Sequence, residues 1–227
     1  LAAFEREHPE YRVRLQQIPW SAAHEKLLTA VVGDAAPDVA QIGNTWIPEF
    51  HALRALEPLD RRIARSVTVT PGAYFAGIWR TNLIHDTTFG VPWYVDSRLL
   101  FYRRDILARA GYDDMPGTWA GWREAMAAVR TVLGPGKYPL FLPTNEWAPQ
   151  IILGLQAGSP LLRDDARYGA FADSAFQRAF AFYLGLYRDS LAPPMGSNDI
   201  ANPYQEFARG TFAMWITGPW NLGEFRR

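Results

Sequence analysis

Residues 11–43 read YRVRLQQIPWSAAHEKLLTAVVGDAAPDVAQIG, and the fold class turns on them. From Tyr11 to Ile18 polar and apolar side chains alternate, with Tyr11, Val13 and Leu15 on one side and Arg12, Arg14 and Gln16 on the other. That period of two predicts a strand with one wet face. Ser21 has the chemistry of a helix N-cap. Leu27, Leu28, Val31 and Val32 give the next segment an apolar stripe, which Gly33 closes. Residues 37–43, PDVAQIG, then predict a short, mostly apolar strand of the kind buried in a parallel sheet. Strand, helix, strand with short links is the repeating unit of an α/β fold.

The same alternation of elements continues toward the C-terminus. NTWIPEF leads into a helix that reaches ALEPLDRRI. Phe89 to Asp105 holds a turn and then a continuous apolar-aromatic strand. Thr118 caps a helix with Trp119, Trp122, Met126, Val129 and Leu133 on its stripe, and Gly134-Pro135-Gly136 ends it. YPLFLPTNEW is another strand and loop. Asp173 caps a second long helix with Phe176, Ala179, Phe180, Tyr183, Leu184 and Tyr187 on its stripe.

Composition narrows the function. With 48% hydrophobic residues, the 227-residue chain has the means to bury a core. A formal net charge of +0 and no basic patch give no case for nucleic acid. The absence of Cys removes disulfides and thiol chemistry, and the four His lack metal-ligand spacing. No apolar run approaches the ~20 residues of a membrane span. No P-loop or GxGxxG supports a nucleotide site. The strong deviation is aromatic content, 14% with nine Trp, which suggests a ligand with flat apolar faces.

Several aromatics lie outside the core stripes. Trp46 follows PDVAQIG, Trp93 and Tyr94 follow Gly90-Val91-Pro92, Trp147 follows Glu146, and Trp220 follows Gly218-Pro219. Each stands where a strand ends, and strand ends are where open α/β sheets bind ligands. Asn44, Asp96, Glu146 and Asn221 are close to them in sequence. A pyranose needs this combination: a flat platform for its C–H face, and carboxylates and amides for its rim of hydroxyls. Trp215, within the strand before the Gly-Pro turn, is expected to pack in the core, and Trp220 to meet the ligand.

The segments FEREHPEYRVRLQQIPW, GDAAPDVAQIGNTWIPEF, LEPLD, GVPWYVDSRLLFYRRDILARAGY, PGTWAGWREAM and FARGTFAMWITGPWN run in order over essentially the whole chain. In that order the sequence resembles the extracellular solute-binding proteins of bacterial ABC transporters, in the sugar-binding group that includes maltose-binding protein. The resemblance implies a periplasmic-binding-protein-like fold of two α/β lobes joined by a hinge, with sugar in the cleft. Residues 1–97 match the first lobe and 98–227 the second. The family's signal peptide, first strand and C-terminal part have no counterpart here, so the chain is expected to be an incomplete fragment. The resemblance assigns ligand contacts to Asn44, Trp46, Trp93, Tyr94, Asp96, Glu146, Trp147, Trp220 and Asn221. It implies a monomer acting in the periplasm or outside the cell, with a carbohydrate ligand and membrane permease subunits as partners, no cofactor, and no catalysis.

Two other readings compete. Asp96 and Glu146 are also the residue types of a glycosidase pair, one acid and one base or nucleophile. Alternatively the same fold binds a polyol or a glycerol phosphodiester. A phosphate would want a cation, for which Arg80 and Arg98 are candidates; a solvated or hinge-paired arginine is the plainer account of both.

Overall fold

A computed structural model describes residues 1–226, apart from the side chain of Ser21. The chain divides into two compact units, Leu1–Val95 and Asp96–Arg227.

The first unit contains helices α1 (Ala2–Glu7), α2 (Trp20–Val32), α3 (Ile47–Ala52), α4 (Asp60–Ile63) and α5 (Ala76–Arg80), and a small hairpin of β1 (Leu83–Ile84) and β2 (Thr87–Thr88). His85 and Asp86 turn that hairpin with φ of 47° and 60°, the left-handed pair that a tight two-residue turn requires. Asp60 fixes it to α4, its carboxylate accepting from the Thr88 amide at 3.2 Å and the Thr88 hydroxyl at 3.0 Å. Ile47 and Phe50 bury one side of α3.

Both strands expected around α2 are missing from the described residues. Residues 11–18 and 37–43 run without a paired neighbour. The backbone amides of Tyr11 and Val13 bond only locally, to His8 O at 3.1 Å and Glu5 Oε1 at 2.9 Å. Tyr11, Leu15 and Val39 stand exposed. Alternation fixes which side chains share a face, but a strand also needs a neighbour to accept its ladder. The cap is corrected as well. Helix α2 starts at Trp20 with Pro19 at its N-cap, so Ser21 falls inside the first turn and its side chain lies outside the described residues. Gly33 does close α2.

The second unit holds a three-stranded sheet in the order β3 (Leu99–Tyr102), β7 (Phe212–Thr217), β4 (Tyr138–Phe141). Strand β3 runs antiparallel to β7, with Leu99 opposite Thr217, and β4 runs parallel to β7, with Phe141 opposite Trp215. The helices α6 (Arg104–Arg109), α7 (Trp119–Leu133), α8 (Ala148–Gln156), α9 (Ser174–Arg188), α10 (Pro203–Ala208) and α11 (Leu222–Phe225) surround it, and β5 (Leu162–Arg163) and β6 (Tyr168–Gly169) make a separate hairpin.

The long helices begin where the sequence places their caps. Thr118 Oγ1 accepts from Gly121 N at 3.1 Å, and Asp173 Oδ1 from Ala175 N at 2.7 Å and Phe176 N at 2.9 Å. Gly134 ends α7 with φ of 77°, open to glycine without cost. Trp122, Met126 and Val129 of α7 meet Leu140 of β4, Met214 of β7, and Ala179, Tyr183 and Leu186 of α9 in one core. A second cluster covers the sheet elsewhere. In it Phe141, Phe212 and Trp215 pack with Tyr204, Phe207 and Phe225. With apolar cover on both faces, β7 reads as the unbroken run FAMWIT. Trp215 is core, as expected.

Candidate functional site

The parallel strands β4 and β7 end side by side, and the chain that leaves each of them builds one cavity of about 220 Å³. After β4 comes the turn 143–147. It is pinned to the segment before α10 by Thr144 N bonding Met195 O at 2.9 Å and by Asn145, whose Oδ1 accepts from Ser197 N at 2.9 Å and whose Nδ2 donates to Ser197 Oγ at 3.0 Å. Glu146, at the crest of this turn, lines the cavity.

After β7, Gly218-Pro219 opens a 3-10 turn over 219–221. The Trp220 indole folds back over Gly218. A Cβ on residue 218 would lie 1.7–2.2 Å from the indole Cζ3, Cη2 and Cε3. Glycine is required there for space, since its backbone is ordinary extended chain at φ −116°. Trp220 remains half exposed beside the cavity.

Asn221 is 3% exposed and its amide is engaged inside. Its Oδ1 accepts from the Tyr204 hydroxyl at 2.7 Å, and its Nδ2 donates to Thr217 Oγ1 at 2.6 Å. It ties α10 to the end of β7, and it places the Tyr204 ring in the cavity wall. Burial, followed by the charge of Glu224, raises the Tyr204 pKa above its ordinary value.

Arg98, at the mouth of β3, completes the wall. Its guanidinium carbon lies 4.9 Å from the Trp220 ring centroid, and its Nη2 lies 3.5 Å from Glu146 Oε2. A half-exposed indole, a carboxylate and a phenol around one cavity can grip a neutral polar ligand. Among the described residues no cluster of His, Asp and Glu could hold a metal, and no helix is long and apolar enough to cross a membrane.

The profile of the bacterial extracellular solute-binding protein family matches residues 1–225. The chain belongs to that family. The sugar-binding protein MalE of Xanthomonas citri is 47% identical and superposes with a TM-score of 0.83, over 99% of this chain and 57% of that one. The GacH receptor of Streptomyces glaucescens, solved unliganded and with acarbose, is 26% identical with a TM-score of 0.82, over 99% of this chain and 57% of GacH. The diacetylchitobiose binding protein DasA of Streptomyces coelicolor is 27% identical over 92% of this chain and 48% of its own length. The chain thus spans about half the length of the curated relatives it matches. These relatives are described as solute- or sugar-binding proteins and not as enzymes, and none of them supports the glycosidase reading.

Within this solute-binding chain, the expected contacts divide. Glu146, Trp220 and Asn221 come together at the second unit's cavity. Trp147 stands at the N-cap position of α8 without a side-chain bond and is 62% exposed, outside the cavity wall, as is the exposed Asp96. On the first unit, Asn44 opens the 3-10 turn 44–46, and Trp46 packs against Trp20 and His24, with ring centroids at 5.5 and 4.9 Å. Trp93 is 78% exposed, and the hydroxyl of its neighbour Tyr94 accepts from Gln41 Nε2 at 3.2 Å. Sequence reasoning left out Tyr204 and set Arg98 aside. For Tyr204 the available signal was Asn202-Pro203, a cap and first-turn pair placing a helix just before β7.

Proposed function

We propose that this chain is the ligand-binding portion of the substrate-binding component of a carbohydrate ABC importer, acting outside the cytoplasmic membrane as a monomer. In this reading it binds a mono- or oligosaccharide and hands it to the permease. The two units correspond to the family's two lobes, and the first contributes Asn44, Trp46, Trp93 and Tyr94 as a second set of contacts. The observation that carries the reading is the half-exposed Trp220 indole beside the Glu146 carboxylate at the ends of parallel strands. Stacking and multiple hydroxyl bonds are what a pyranose needs and what this pair supplies. A phosphodiester is less well served, because Arg98 already faces Glu146.

The test is titration calorimetry of the full-length protein against mono-, di- and oligosaccharides, with Trp220→Ala and Glu146→Gln beside the wild type. Losing a buried aromatic platform of roughly 2–3 kcal/mol weakens binding about 30- to 150-fold. Removing the charged acceptor weakens it about 10-fold or more. Neither variant changes the bound sugar chemically. Wild-type affinity in Trp220→Ala, or release of a hydrolysed product, would sink the reading.

A further inference from the structure

The Trp220 face beside the second unit's cavity is already covered. The Arg98 guanidinium lies over the Trp220 ring, 4.9 Å from its centroid, and its Nη2 faces Glu146 Oε2 at 3.5 Å. Those are the two interactions assigned above to a pyranose: a flat group over the indole, and a donor to the carboxylate. A guanidinium and a sugar ring cannot lie on the same face of one indole at the same time.

Arg103, a few residues along, shows a tightly held pair in this unit. It grips Asp105 with Nε at 2.8 Å and Nη2 at 2.7 Å, and Nη1 also donates to Phe207 O at 3.2 Å. Arg98 instead has one contact with Glu146 at the long limit of a hydrogen bond. Its side chain is 26% exposed and that of Glu146 is 42% exposed, so solvent is at hand when the pair opens. The cavity it helps to wall, about 220 Å³, is smaller than the roughly 300–1,000 Å³ of pockets that enclose a ligand. Withdrawing the guanidinium enlarges it on the side where Trp220 and Glu146 stand.

We propose that Arg98 is an internal competitor for the sugar: the ligand takes its place on Trp220 and Glu146 and turns it out to solvent. The proposal rests on the sugar reading of the same site. Arg98 then sets the affinity, because every ligand that stacks on Trp220 must first displace it. A ligand that uses only Glu146, such as a linear polyol, gains less from its removal than one that also needs the indole face.

The experiment compares full-length wild type, Arg98→Ala and Arg98→Lys by calorimetry, with the sugar that wild type binds most tightly in the panel and with sorbitol. Cation–π contacts and exposed ion pairs are weak enough to displace, and their loss in Arg98→Ala tightens sugar binding about 3- to 30-fold. Sorbitol affinity rises by less than that of the sugar. Arg98→Lys keeps a charge near Glu146 without the planar cover and falls between; it carries the same test if Arg98→Ala melts early. In wild type, phenylglyoxal labelling of Arg98, read by peptide mapping, rises when sugar is added. Unchanged or weaker sugar binding in both variants, or protection of Arg98 by sugar, overturns the proposal while leaving the sugar reading intact. Failure of wild type and variants alike to bind any sugar overturns both.

Discussion

At Gly218 one hydrogen in place of a methyl group decides whether the indole of Trp220 can lie where it does. The backbone there tolerates any residue, so the glycine is explained only by the ring that folds over it. This makes Gly218→Ala a test of the platform that leaves Trp220 itself in place. A Cβ at 1.7 Å from Cζ3 forces the ring away, and on the proposed sugar reading affinity falls by an amount approaching that of Trp220→Ala, at least about 10-fold. The fold has little reason to suffer, since Trp220 is half exposed, so the melting temperature stays within a few degrees. Normal affinity in that variant would show that the ligand does not use this ring. The sequence made Trp220 visible, because a large aromatic after Gly-Pro is conspicuous. It named Arg98 only as a candidate cation and hid its place, because its partners Trp220 and Glu146 are distant in the chain and meet it only once β3, β4 and β7 are assembled.

At the scale of elements, what the sequence reveals depends on how local the cause is. The caps of α7 and α9 are made within three residues of their own helices, and Thr118 and Asp173 are readable for that reason. The strand at 11–18 depends on a neighbour, and its alternating pattern does not supply one. The loop that presents Glu146 is held by another non-local device. Gln150 Nε2 of α8 donates to the Tyr183 hydroxyl at 3.2 Å, Tyr183 and Tyr187 hydroxyls share a bond of 2.9 Å, and Tyr187 donates to Leu142 O at 2.8 Å. The chain of bonds ends on the last carbonyl before the site loop. Tyr187→Phe leaves that carbonyl without its donor and lowers stability by about 1 kcal/mol. It also changes the response to alkali. Burial raises the Tyr187 pKa above its ordinary value of 10.0, with Tyr183 adding to the effect. The unfolded chain therefore gives up this proton near pH 10 while the folded chain keeps it. The stabilisation is complete below pH 10 and drains as pH rises above it. Denaturant melts between pH 8 and 11 should show stability falling less steeply in Tyr187→Phe than in wild type. Equal slopes would remove Tyr187 from the account.

At the scale of the whole molecule, the two units are held together internally in different ways. In the second, β7 is bonded on both edges and covered on both faces, and α7 and α9 close over it with residues such as Met126, Val129 and Ala179 that are sealed from solvent. In the first, the described sheet is the four-residue hairpin of β1 and β2, and the backbone of 11–18 and 37–43 has no ladder. Opening an amide in β7 requires breaking the core around it, whereas an amide without a protein partner already faces water. Hydrogen exchange therefore separates the two. Amides of Ala213 to Ile216 should exchange slower than those of Arg14 to Gln17 by three orders of magnitude or more, the span between local fraying and global unfolding of a domain of ordinary stability. The measurement is peptide-resolved exchange at neutral pH. Protection at 11–18 comparable to that of β7 would mean that this stretch has found a strand partner after all, as its alternation predicts. Rapid exchange there, with β7 locked, would mean that its pattern marks a face awaiting a neighbour.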